Sequence, residues 1–392
     1  MIPILQLQSY SSLDDVGRAV REVANTQLAP IAHDFGERRE VCRPLLERMG
    51  ELGFFRILTV TADEAPWLAG HRWSVHAAVR EALAVEDSQC EEMYTIQGLS
   101  IYPLQLMGTA EQQERFLGPL LSGQRISAFA LSEPEAGSDI AAMTTTARRV
   151  EGGWSITGDK TWISHAPDAE TYVVFARHEP GSEIEGVSAF VVEKGAAGFD
   201  LDPSLDVLGP HAIGSLHFRD CFVPDDQVLG DLGRGLRTAL RSLEFFRPSV
   251  GGRAVGLARQ ALDVATAWAR ERQVFGGPLL DQQSAAFKLA DMAIRIQAAR
   301  ALVYDAARRA DAGENIAVAG SAAKAFATEM AQSVAYDAQQ ICGGRGVLVG
   351  HPTERIYRQV RAMTIFEGTS EIQRLIISRH VRRGTLNDVW GF

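Results

Sequence analysis

The hydrophobic periodicity of the chain changes twice, and this limits the fold more than any other feature of the sequence. Up to about residue 125, apolar residues recur at spacings of three and four, which is typical of amphipathic helices. Between Ile126 and about Pro224, short β-rich segments are separated by Gly, Pro and Asp, which predicts a sheet. After about residue 233 helical patterns return, and those at about 253–272, 281–311 and 316–341 are long enough to form an antiparallel bundle. This order differs from the alternation of strands and helices in doubly wound folds.

The composition indicates a folded protein that does not bind nucleic acid. Hydrophobic residues make up 46% of the chain and charged residues 22%, as in globular proteins. The 39 basic and 49 acidic residues give a net charge of -10, so the average surface repels nucleic acid and anionic lipid. Cys42, Cys90, Cys221 and Cys342 form no Cys-x-x-Cys pair, which argues against a zinc site and a disulfide framework. We therefore expect no bound metal ion and a reducing compartment.

The N-terminal sequence, the lengths of the apolar runs and the length of the chain indicate where the protein is located and how many domains it has. The N-terminal Met-Ile-Pro-Ile-Leu-Gln-Leu-Gln has no basic region, and its apolar stretch is too short for a signal peptide. No run approaches the roughly 20 apolar residues that a membrane helix needs. We therefore expect a soluble cytoplasmic protein. Its 392 residues suggest two or three domains, at about 100 to 200 residues per domain.

The first segment with possible chemistry is Ala130-Leu-Ser-Glu-Pro-Glu-Ala-Gly-Ser-Asp139, where a strand runs into a turn. Gly137, Ser138 and Asp139 present backbone N–H groups and a hydroxyl that can bind an anionic or polar ligand. The same residue types also form ordinary strand-to-loop junctions. The turn alone favours this second interpretation.

The second segment, Gly153 to Ser164, predicts a hairpin whose turn is Gly158-Asp159. Trp162 and Ser164 are two residues apart, so an ideal strand would place them on one face. A planar indole beside a hydroxyl suits a flavin, since the indole covers the ring and the hydroxyl reaches a ring nitrogen or oxygen. The alternative, in which Trp162 packs in the core of the sheet, is the commoner fate of a strand tryptophan.

Two further segments lie at predicted helix ends. Arg272 and Phe275 are three residues apart and are suited to hold a phosphate and a ring. Alternatively, Arg272 complements the helix dipole and Phe275 closes the core. In Gln340-Ile-Cys-Gly-Gly-Arg-Gly346 the glycines permit close approach of a ligand to the backbone, or they simply end the helix.

The last segment, Phe366 to Gln373, places Glu367 just outside a helix N-terminus. Ser370 and Gln373 have the spacing of a capping box and predict the start of the final helix. The helix dipole stabilises the Glu367 anion, which opposes its use as a base until substrate expels water and raises its pKa. From spacing alone, a solvated acid at a helix start is the favoured interpretation.

Together and in this order, the five segments resemble the acyl-CoA dehydrogenase family, in particular its short- or medium-chain members or a divergent biosynthetic one. Residues 130–142 are similar to the family's first signature, and Gln340 to Gly346, with Glu354 and Arg358, are similar to its second. The resemblance implies an α+β fold with a helical domain at 1–125, an antiparallel β-barrel-like domain at 126–232 and a four-helix bundle at 233–392. It also implies a homotetramer, or a homodimer, with one FAD per subunit.

The resemblance implies roles for individual residues. Residues that match positions around the flavin are Phe129, Leu131, Ser132, Ser138, Trp162, Ser164, Thr369 and Glu371. Residues that match positions holding the FAD of a neighbouring subunit are Arg272, Phe275, Gln283, Gln340 and Gly344, and Gln282 and Gly343 are further residues that the resemblance assigns to cofactor binding. Residues that match substrate contacts are Ser138, Glu244, Arg247 and Gly368, although Glu244 and Arg247 are also explained as a surface pair at a helix start.

Glu367 matches the family's catalytic carboxylate, which removes the α proton of an acyl thioester while a hydride leaves the β carbon for flavin N5. Some members carry this base at the position of Phe246, and phenylalanine cannot accept a proton. The resemblance thus implies oxidation of acyl-CoA to trans-2-enoyl-CoA, with an electron-transferring flavoprotein as electron acceptor. The alternatives are a dehydrogenase of a carrier-protein-bound acyl thioester, a flavin monooxygenase on the same fold, and a binding protein without catalysis.

The sequence departs from the family pattern near the expected flavin edge and acyl pocket. Ser164-His165-Ala166 replaces a common Thr-Asn-Gly, and His211 stands where arginine is common. The loop from Thr59 to Gly70 lacks the usual Pro-Glu-x-x-Gly-Gly. These differences concern the acyl group and its carrier more than the class of reaction, and they leave a catabolic and a biosynthetic role open.

Overall fold

A computed structural model of the chain describes residues 9–178 and 186–390, and the residues on which the expectation of no signal peptide depends lie outside these ranges. Helices precede and follow one large sheet, which confirms the predicted α+β fold. The helices before the sheet are α1 Leu13–Val23, α2 Ala29–Phe35, α3 Arg43–Glu51, α4 Pro66–Gly70, α5 Arg72–Glu86, α6 Ser88–Met107, α7 Ala110–Gln112 and α8 Gly118–Leu121. The helices after it are α9 Gly235–Glu271, α10 Gln283–Asp311, α11 Ala317–Cys342, α12 Pro352–Arg361, α13 Ser370–Arg383 and α14 Leu386–Trp390.

The main sheet has eight strands, most of them antiparallel. Its strands are β1 Ser127–Ala130, β2 Thr146–Val150, β3 Gly153–Ser164, β4 Thr171–Arg177, β5 Val187–Glu193, β6 Phe199–Leu201, β7 Ile213–Pro224 and β8 Val228–Leu229. They follow the order β6-β7-β3-β2-β4-β5-β8, and β1 pairs with β4 in parallel. A separate ribbon consists of β9 Gln273–Val274 and β10 Gly277–Pro278.

The predicted hairpin at Gly158-Asp159 is wrong. β3 continues through both residues, because each pairs with β7 and the two halves of β3 do not pair with each other. Gly158 has a φ of 147°, which glycine tolerates, and the register shifts there. A second shift, between Lys160 and Ile163, leaves Trp162 with a φ of 59°. The long partner strand thus overrides the local turn preference.

The predicted loop at residues 59–70 also contains more helix than expected. Pro66 does not prevent helix formation because it occupies the first position of α4, where its missing N–H donor is not needed. Similarly, α9 extends from Gly235 and includes Pro248, although the apolar pattern predicts a helix only from about Arg253.

Contacts divide the chain into two compact units. The sheet unit comprises Pro30–Glu64 and Glu92–Leu243, and the bundle unit comprises residues 9–29, 65–91 and 244–390. The bundle unit has an alanine-rich core, and Gly252 lies where a Cβ would come within 2.6 Å of the Ala77 carbonyl oxygen. This close approach explains a glycine within a long helix. The three domain ranges derived from the resemblance remain a prediction.

Candidate active site

In the sheet unit, the turn after β1 is anchored by a buried ion pair. Lys160 Nζ lies 2.9 Å from Glu133 Oε1, and both side chains are buried. Glu133 also accepts hydrogen bonds from Thr144 N at 2.6 Å, Thr144 Oγ1 at 2.8 Å and Thr145 N at 3.0 Å. Burial opposes ionisation of Glu133, but the Lys160 charge and these hydrogen bonds outweigh it and lower the pKa to about 2. The ion pair therefore holds both ends of the turn against β3.

This anchoring brings two of the predicted flavin contacts, Leu131 and Ser132, to the end of β3. Lys160 Nζ donates to the Leu131 carbonyl at 3.1 Å, and Thr161 N donates to the Ser132 carbonyl at 3.0 Å. The Phe129 ring lies 4.9 Å from the Phe175 ring and is half-buried. Ser138 lies further along the turn, where it is exposed.

Trp162 and Ser164 follow directly on the same strand. The Trp162 side chain is 60% exposed, so the alternative in which it packs in the sheet core is wrong. Its positive φ is rare for a bulky residue and marks a strained site, which is often a functional one. Ser164 Oγ lies 2.7 Å from His211 Nε2, and His211 Nδ1 lies 2.5 Å from Glu92 Oε1.

In the bundle unit, Glu367 lies between a short 3₁₀ turn and α13. Its φ is 52°, and that of the following Gly368 is 87°. Its Oε2 atom is covered and has no hydrogen-bond partner among the described residues. Burial raises the pKa of Glu367, whereas Arg80, Lys324 and Arg247 act in the opposite direction. A covered, strained carboxylate with a free oxygen differs from the solvated helix-start acid that spacing alone favours.

Lys324 supports the strained segment from α11. Its Nζ donates to the Phe366 carbonyl at 2.5 Å and also to the Gly368 carbonyl, the two carbonyls that flank Glu367. Burial lowers the pKa of Lys324 to about 8, although the Glu367 charge opposes this shift. One buried lysine therefore fixes the backbone on both sides of Glu367 and places a positive charge beside it.

A buried charge network accompanies the Glu367 carboxylate. Arg80 Nε lies 2.5 Å from Glu91 Oε1, and Arg253 Nη1 lies 3.0 Å from Glu91 Oε2. Arg80 also donates to Ser249 Oγ at 2.8 Å. Arg80 lowers the pKa of Glu367 and Glu91 raises it, so the network adjusts the basicity of that carboxylate in both directions.

Arg247, one of the residues predicted to contact substrate, lies close enough to Glu244 and Glu367 to feel their charges. Burial lowers the pKa of the Arg247 guanidinium, and the nearby charges of Glu244 and Glu367 oppose this shift. Arg247 Nε is covered and has no hydrogen-bond partner in the described part of the chain. Phe246, at the alternative base position, is buried with its ring 4.7 Å from the His76 ring. Arg247 therefore offers an unused donor beside Glu367, while Phe246 belongs to the core.

Arg272, Gly343 and Gly344 line one groove of the bundle unit, with a volume of about 410 Å³. Arg345 also lines it, and the Arg345 guanidinium carbon lies 5.4 Å from the centre of the Trp268 ring. Gly343 has a φ of 60° and ends α11, so the glycines both terminate the helix and open the groove. The groove combines cations with accessible backbone, which suits an anionic ligand.

The remaining predicted cofactor residues are distributed over the surface of the bundle unit. Phe275 is 97% exposed with a φ of 49°, so the alternative in which it closes the core is wrong. Gln282 and Gln283 begin α10, and Gln340 is exposed near the end of α11. Glu371 is exposed in the first turn of α13.

The predicted capping box at Ser370 and Gln373 is wrong by one residue. Thr369 is the N-cap of α13, and its Oγ1 accepts from Ile372 N at 3.3 Å. The Gln373 side chain instead donates to the Gly368 carbonyl at 2.8 Å. Both interactions stabilise the backbone that follows Glu367.

Several residues of this arrangement are not predicted from the sequence, namely Glu92, Glu133, Lys160, Lys324, Arg80 and Glu91. The available signal is a charge on an otherwise apolar face. Lys324, for example, lies four residues from Gly320 and Thr328 on the buried stripe of α11. Buried lysines are rare unless they are paired or functional.

The residues present fit a flavin dinucleotide, and the sheet unit and the bundle unit each contain a group of them. The sheet unit offers an uncovered indole and a hydroxyl at the end of β3. The bundle unit offers a groove with arginines and glycines and a nearly fully exposed Phe275. Aromatic surface for a ring system and cationic surface for a pyrophosphate are the two requirements of such a cofactor.

No helix in the described ranges is long and apolar enough to cross a membrane.

Family models for the acyl-CoA dehydrogenase N-terminal, middle and C-terminal domains match residues 12–124, 128–221 and 233–382. The short-chain specific acyl-CoA dehydrogenase of Mus musculus mitochondria is 35% identical over 366 residues, 93% of this chain and 88% of the relative.

Solved structures agree with the sequence matches. Butyryl-CoA dehydrogenase from Megasphaera elsdenii has a TM-score of 0.88 and 30% identity, covering 96% of this chain and 99% of that one. The FAD complex of PigA has a TM-score of 0.88 and 27% identity, covering 96% and 98%. The chain therefore belongs to the acyl-CoA dehydrogenase family of FAD-dependent oxidoreductases, which act on acyl-CoA.

Proposed function

We propose that the protein oxidises a short acyl-CoA to the trans-2-enoyl-CoA, with Glu367 as the base that removes the α proton. The observation that supports this proposal is the state of Glu367, whose Oε2 is covered and has no hydrogen-bond partner among the residues that the structure describes, and whose pKa is raised. A base is most effective when its pKa lies near the working pH, and burial moves a carboxylate in that direction. The two relatives named short-chain specific and butyryl-CoA dehydrogenase support a short acyl group.

The residues around Glu367 would prepare it for proton transfer. Its strained backbone, held by Lys324, limits the positions that the carboxylate can adopt. The cations Lys324, Arg247 and Arg80 lower its pKa against the effect of burial and so favour the ionised form, which can accept a proton. Arg247 would bind substrate through its unused Nε donor, together with Glu244, Gly368 and the exposed Ser138.

FAD would supply the acceptor for the hydride that leaves the β carbon. Phe129, Leu131, Ser132, Ser138, Trp162 and Ser164, with Thr369 and Glu371, would hold the isoalloxazine end. Arg272, Gln282, Gln283, Gln340, Gly343 and Gly344 would hold the remainder. Trp162 supports this assignment because its side chain is 60% exposed on a backbone with a positive φ, so the indole is available to a ring system.

A homotetramer, or a homodimer, would account for the surface of the bundle unit. Phe275 is 97% exposed, and monomeric soluble proteins rarely expose large apolar side chains in groups. Val349 at 87% exposure lies just beyond the glycines that line the groove. A second subunit that covers these residues would complete a cofactor site with Phe275. An electron-transferring flavoprotein is the proposed electron acceptor.

The test is anaerobic reduction of the flavin by a panel of acyl thioesters. We expect a short acyl-CoA to bleach the flavin, and Glu367→Gln to slow that step by about 10² to 10⁴. Bleaching only by carrier-protein-bound acyl groups would replace CoA as the carrier. Flavin that substrate reduces equally well in the Glu367→Gln variant would contradict the role of Glu367, whereas flavin that no acyl thioester reduces would favour a monooxygenase.

A further inference from the structure

The end of β3 carries a three-residue hydrogen-bond chain that the proposed proton abstraction does not use. Ser164 Oγ lies 2.7 Å from His211 Nε2, and His211 Nδ1 lies 2.5 Å from Glu92 Oε1. The His211 side chain is 21% exposed and that of Glu92 is 10% exposed. All three residues belong to the sheet unit. The chain therefore links a hydroxyl at the predicted flavin site to a largely buried carboxylate.

The backbone holds this chain of hydrogen bonds in place. Ser164 pairs with Ile213 at the start of β7, and the next residue, His165, donates its backbone N–H to the Ala212 carbonyl at 2.8 Å. His165 is fully buried with a φ of 63°. Residues 164–165 are thus tied to 212–213 on both sides of the contact with His211. Such strain in a buried histidine is typical of a position that the surroundings strictly determine.

The proton positions follow from the chemistry of the three groups. An ionised carboxylate only accepts hydrogen bonds, so Glu92 requires that His211 Nδ1 carries a hydrogen. A neutral imidazole then has a bare Nε2 that can only accept. With the imidazole neutral, Ser164 therefore donates its single hydroxyl hydrogen to His211 Nε2. The lone pairs of Ser164 Oγ remain for any other partner.

We infer that Glu92 and His211 are positioning residues that turn the Ser164 hydroxyl into a hydrogen-bond acceptor toward the flavin and thereby favour the reduced cofactor. The inference rests on the proposed placement of Ser164 against the flavin ring. A reduced flavin has an N–H at the ring nitrogen that accepts the hydride, whereas the oxidised flavin has a bare nitrogen there. An acceptor hydroxyl can bond only to the reduced form. A donor hydroxyl would favour the oxidised form instead.

This arrangement is a property of the present chain. Ser164 and His211 both lie where the sequence departs from the family pattern, since a Thr-Asn-Gly is common at residues 164–166 and arginine is common at residue 211. Arginine only donates, so the more common pair would leave the hydroxyl hydrogen free to point elsewhere. His211, held by Glu92, instead accepts the hydroxyl hydrogen of Ser164, so the hydroxyl acts as an acceptor toward other partners.

The test is the reduction potential of the bound flavin in the holoenzyme at about pH 8, above the ordinary histidine pKa of about 6.5. In His211→Leu the acceptor of the Ser164 hydrogen is removed, so the hydroxyl is released as a donor. We expect this variant to lower the ratio of reduced to oxidised flavin about tenfold, or about 30 mV for this two-electron couple. Glu92→Gln replaces the carboxylate with an amide that can either accept from or donate to His211 Nδ1, so the preference for a hydrogen on Nδ1 weakens and we expect a smaller change in the same direction.

The matched control is His217→Gln, which removes another histidine on β7. His217 Nδ1 lies 2.6 Å from Asp159 Oδ1 and its Nε2 lies 3.0 Å from Asp202 Oδ2, so no hydroxyl is involved. We expect no change in potential. In the Ser164→Ala background, Glu92→Gln should also have no further effect, because the hydroxyl that carries the coupling is absent.

The outcomes separate the inference from the proposed function. Ser164→Ala could change the potential or the flavin spectrum while Glu92→Gln and His211→Leu change neither. In that case the proposed relay, in which Glu92 and His211 orient the Ser164 hydroxyl, is wrong and the placement of the flavin stands. If no variant, including Ser164→Ala, changes either property, Ser164 does not contact the flavin and the proposed site is wrong. A rise in potential in Glu92→Gln would overturn the direction of the relay.

Discussion

Glu133 in the sheet unit and Glu367 in the bundle unit are both covered carboxylates, yet their surroundings are opposite. Glu133 has a lysine partner and three hydrogen-bond donors from Thr144 and Thr145, and its pKa falls to about 2. Within the described ranges Glu367 Oε2 has no hydrogen-bond partner, and burial raises the pKa of this carboxyl. A carboxylate whose oxygens are all hydrogen-bonded stabilises the fold, whereas one with an oxygen left unbonded retains the capacity to bind a proton. Burial alone therefore does not distinguish a structural from a reactive acid; the number of its partners does.

The largest expected effect on stability belongs to Glu133. Glu133→Gln leaves Lys160 buried without its counter-charge, and such a loss costs about 3 to 5 kcal/mol of unfolding free energy. Chemical denaturation measures the loss. Glu135→Gln, in the exposed part of the same turn, is the control and should have little effect. Equal stability of the two variants would show that Glu133 is not a structural acid.

The opposite result is expected for Glu367→Gln. Because burial disfavours the ionised carboxylate, its neutral replacement should leave the unfolding free energy unchanged or raise it by about 1 to 3 kcal/mol. Asp263→Asn, an exposed change on α9, provides the reference for the bundle unit. A destabilisation similar to that of Glu133→Gln would mean that Glu367 is a structural acid.

A smaller effect is expected for Lys324→Met, measured as the pH dependence of flavin reduction. Lys324 lowers the pKa of Glu367, so its removal raises that pKa further. The base is then protonated up to a higher pH, and the acid limb of the rate profile should move to higher pH. Lys324→Arg retains the charge and should restore most of the position of the limb.

Lys288→Met is the matched control, since Lys288 is a partly exposed lysine whose Nζ lies 3.0 Å from Asp337 Oδ1. It should not move the acid limb. If Lys324→Met lowers the rate equally at every pH, the lysine acts on the geometry of the segment and not on the basicity of Glu367.

The smallest effect is expected from the helix caps. Thr369→Ala removes the N-cap of α13. Ser12→Ala removes the N-cap of α1, in which Ser12 Oγ accepts from Asp15 N at 3.1 Å. Each should cost about 1 kcal/mol in denaturation. Only Thr369→Ala should also slow flavin reduction, because its cap adjoins the strained segment of Glu367 and Gly368. Equal activity of the two variants would show that the cap does not position Glu367.

Local patterns predict much of the fold, because helix and strand periodicities arise from burial of one face. The order helices, sheet, helices and the positions of α10 and α11 follow from such patterns. The hairpin at Gly158-Asp159 does not, because the pairing of β3 with β7 outweighs a turn preference that acts over only two residues. The N-cap at Thr369 differs from the predicted one for a similar reason, since Gln373 bonds to Gly368 instead.

The sequence by itself determined the family of this protein, because five motifs in a fixed order are far more specific than any one of them. It also singled out Glu367, but only as a carboxylate near a helix start. Tertiary structure decided that this carboxylate is covered, strained and flanked by Lys324, and that Ser164 is linked to His211 and Glu92. These properties depend on side chains that are 43 to 119 residues apart in the chain. Hydrogen bonding and desolvation act through space over a few ångströms, so only the folded chain fixes them.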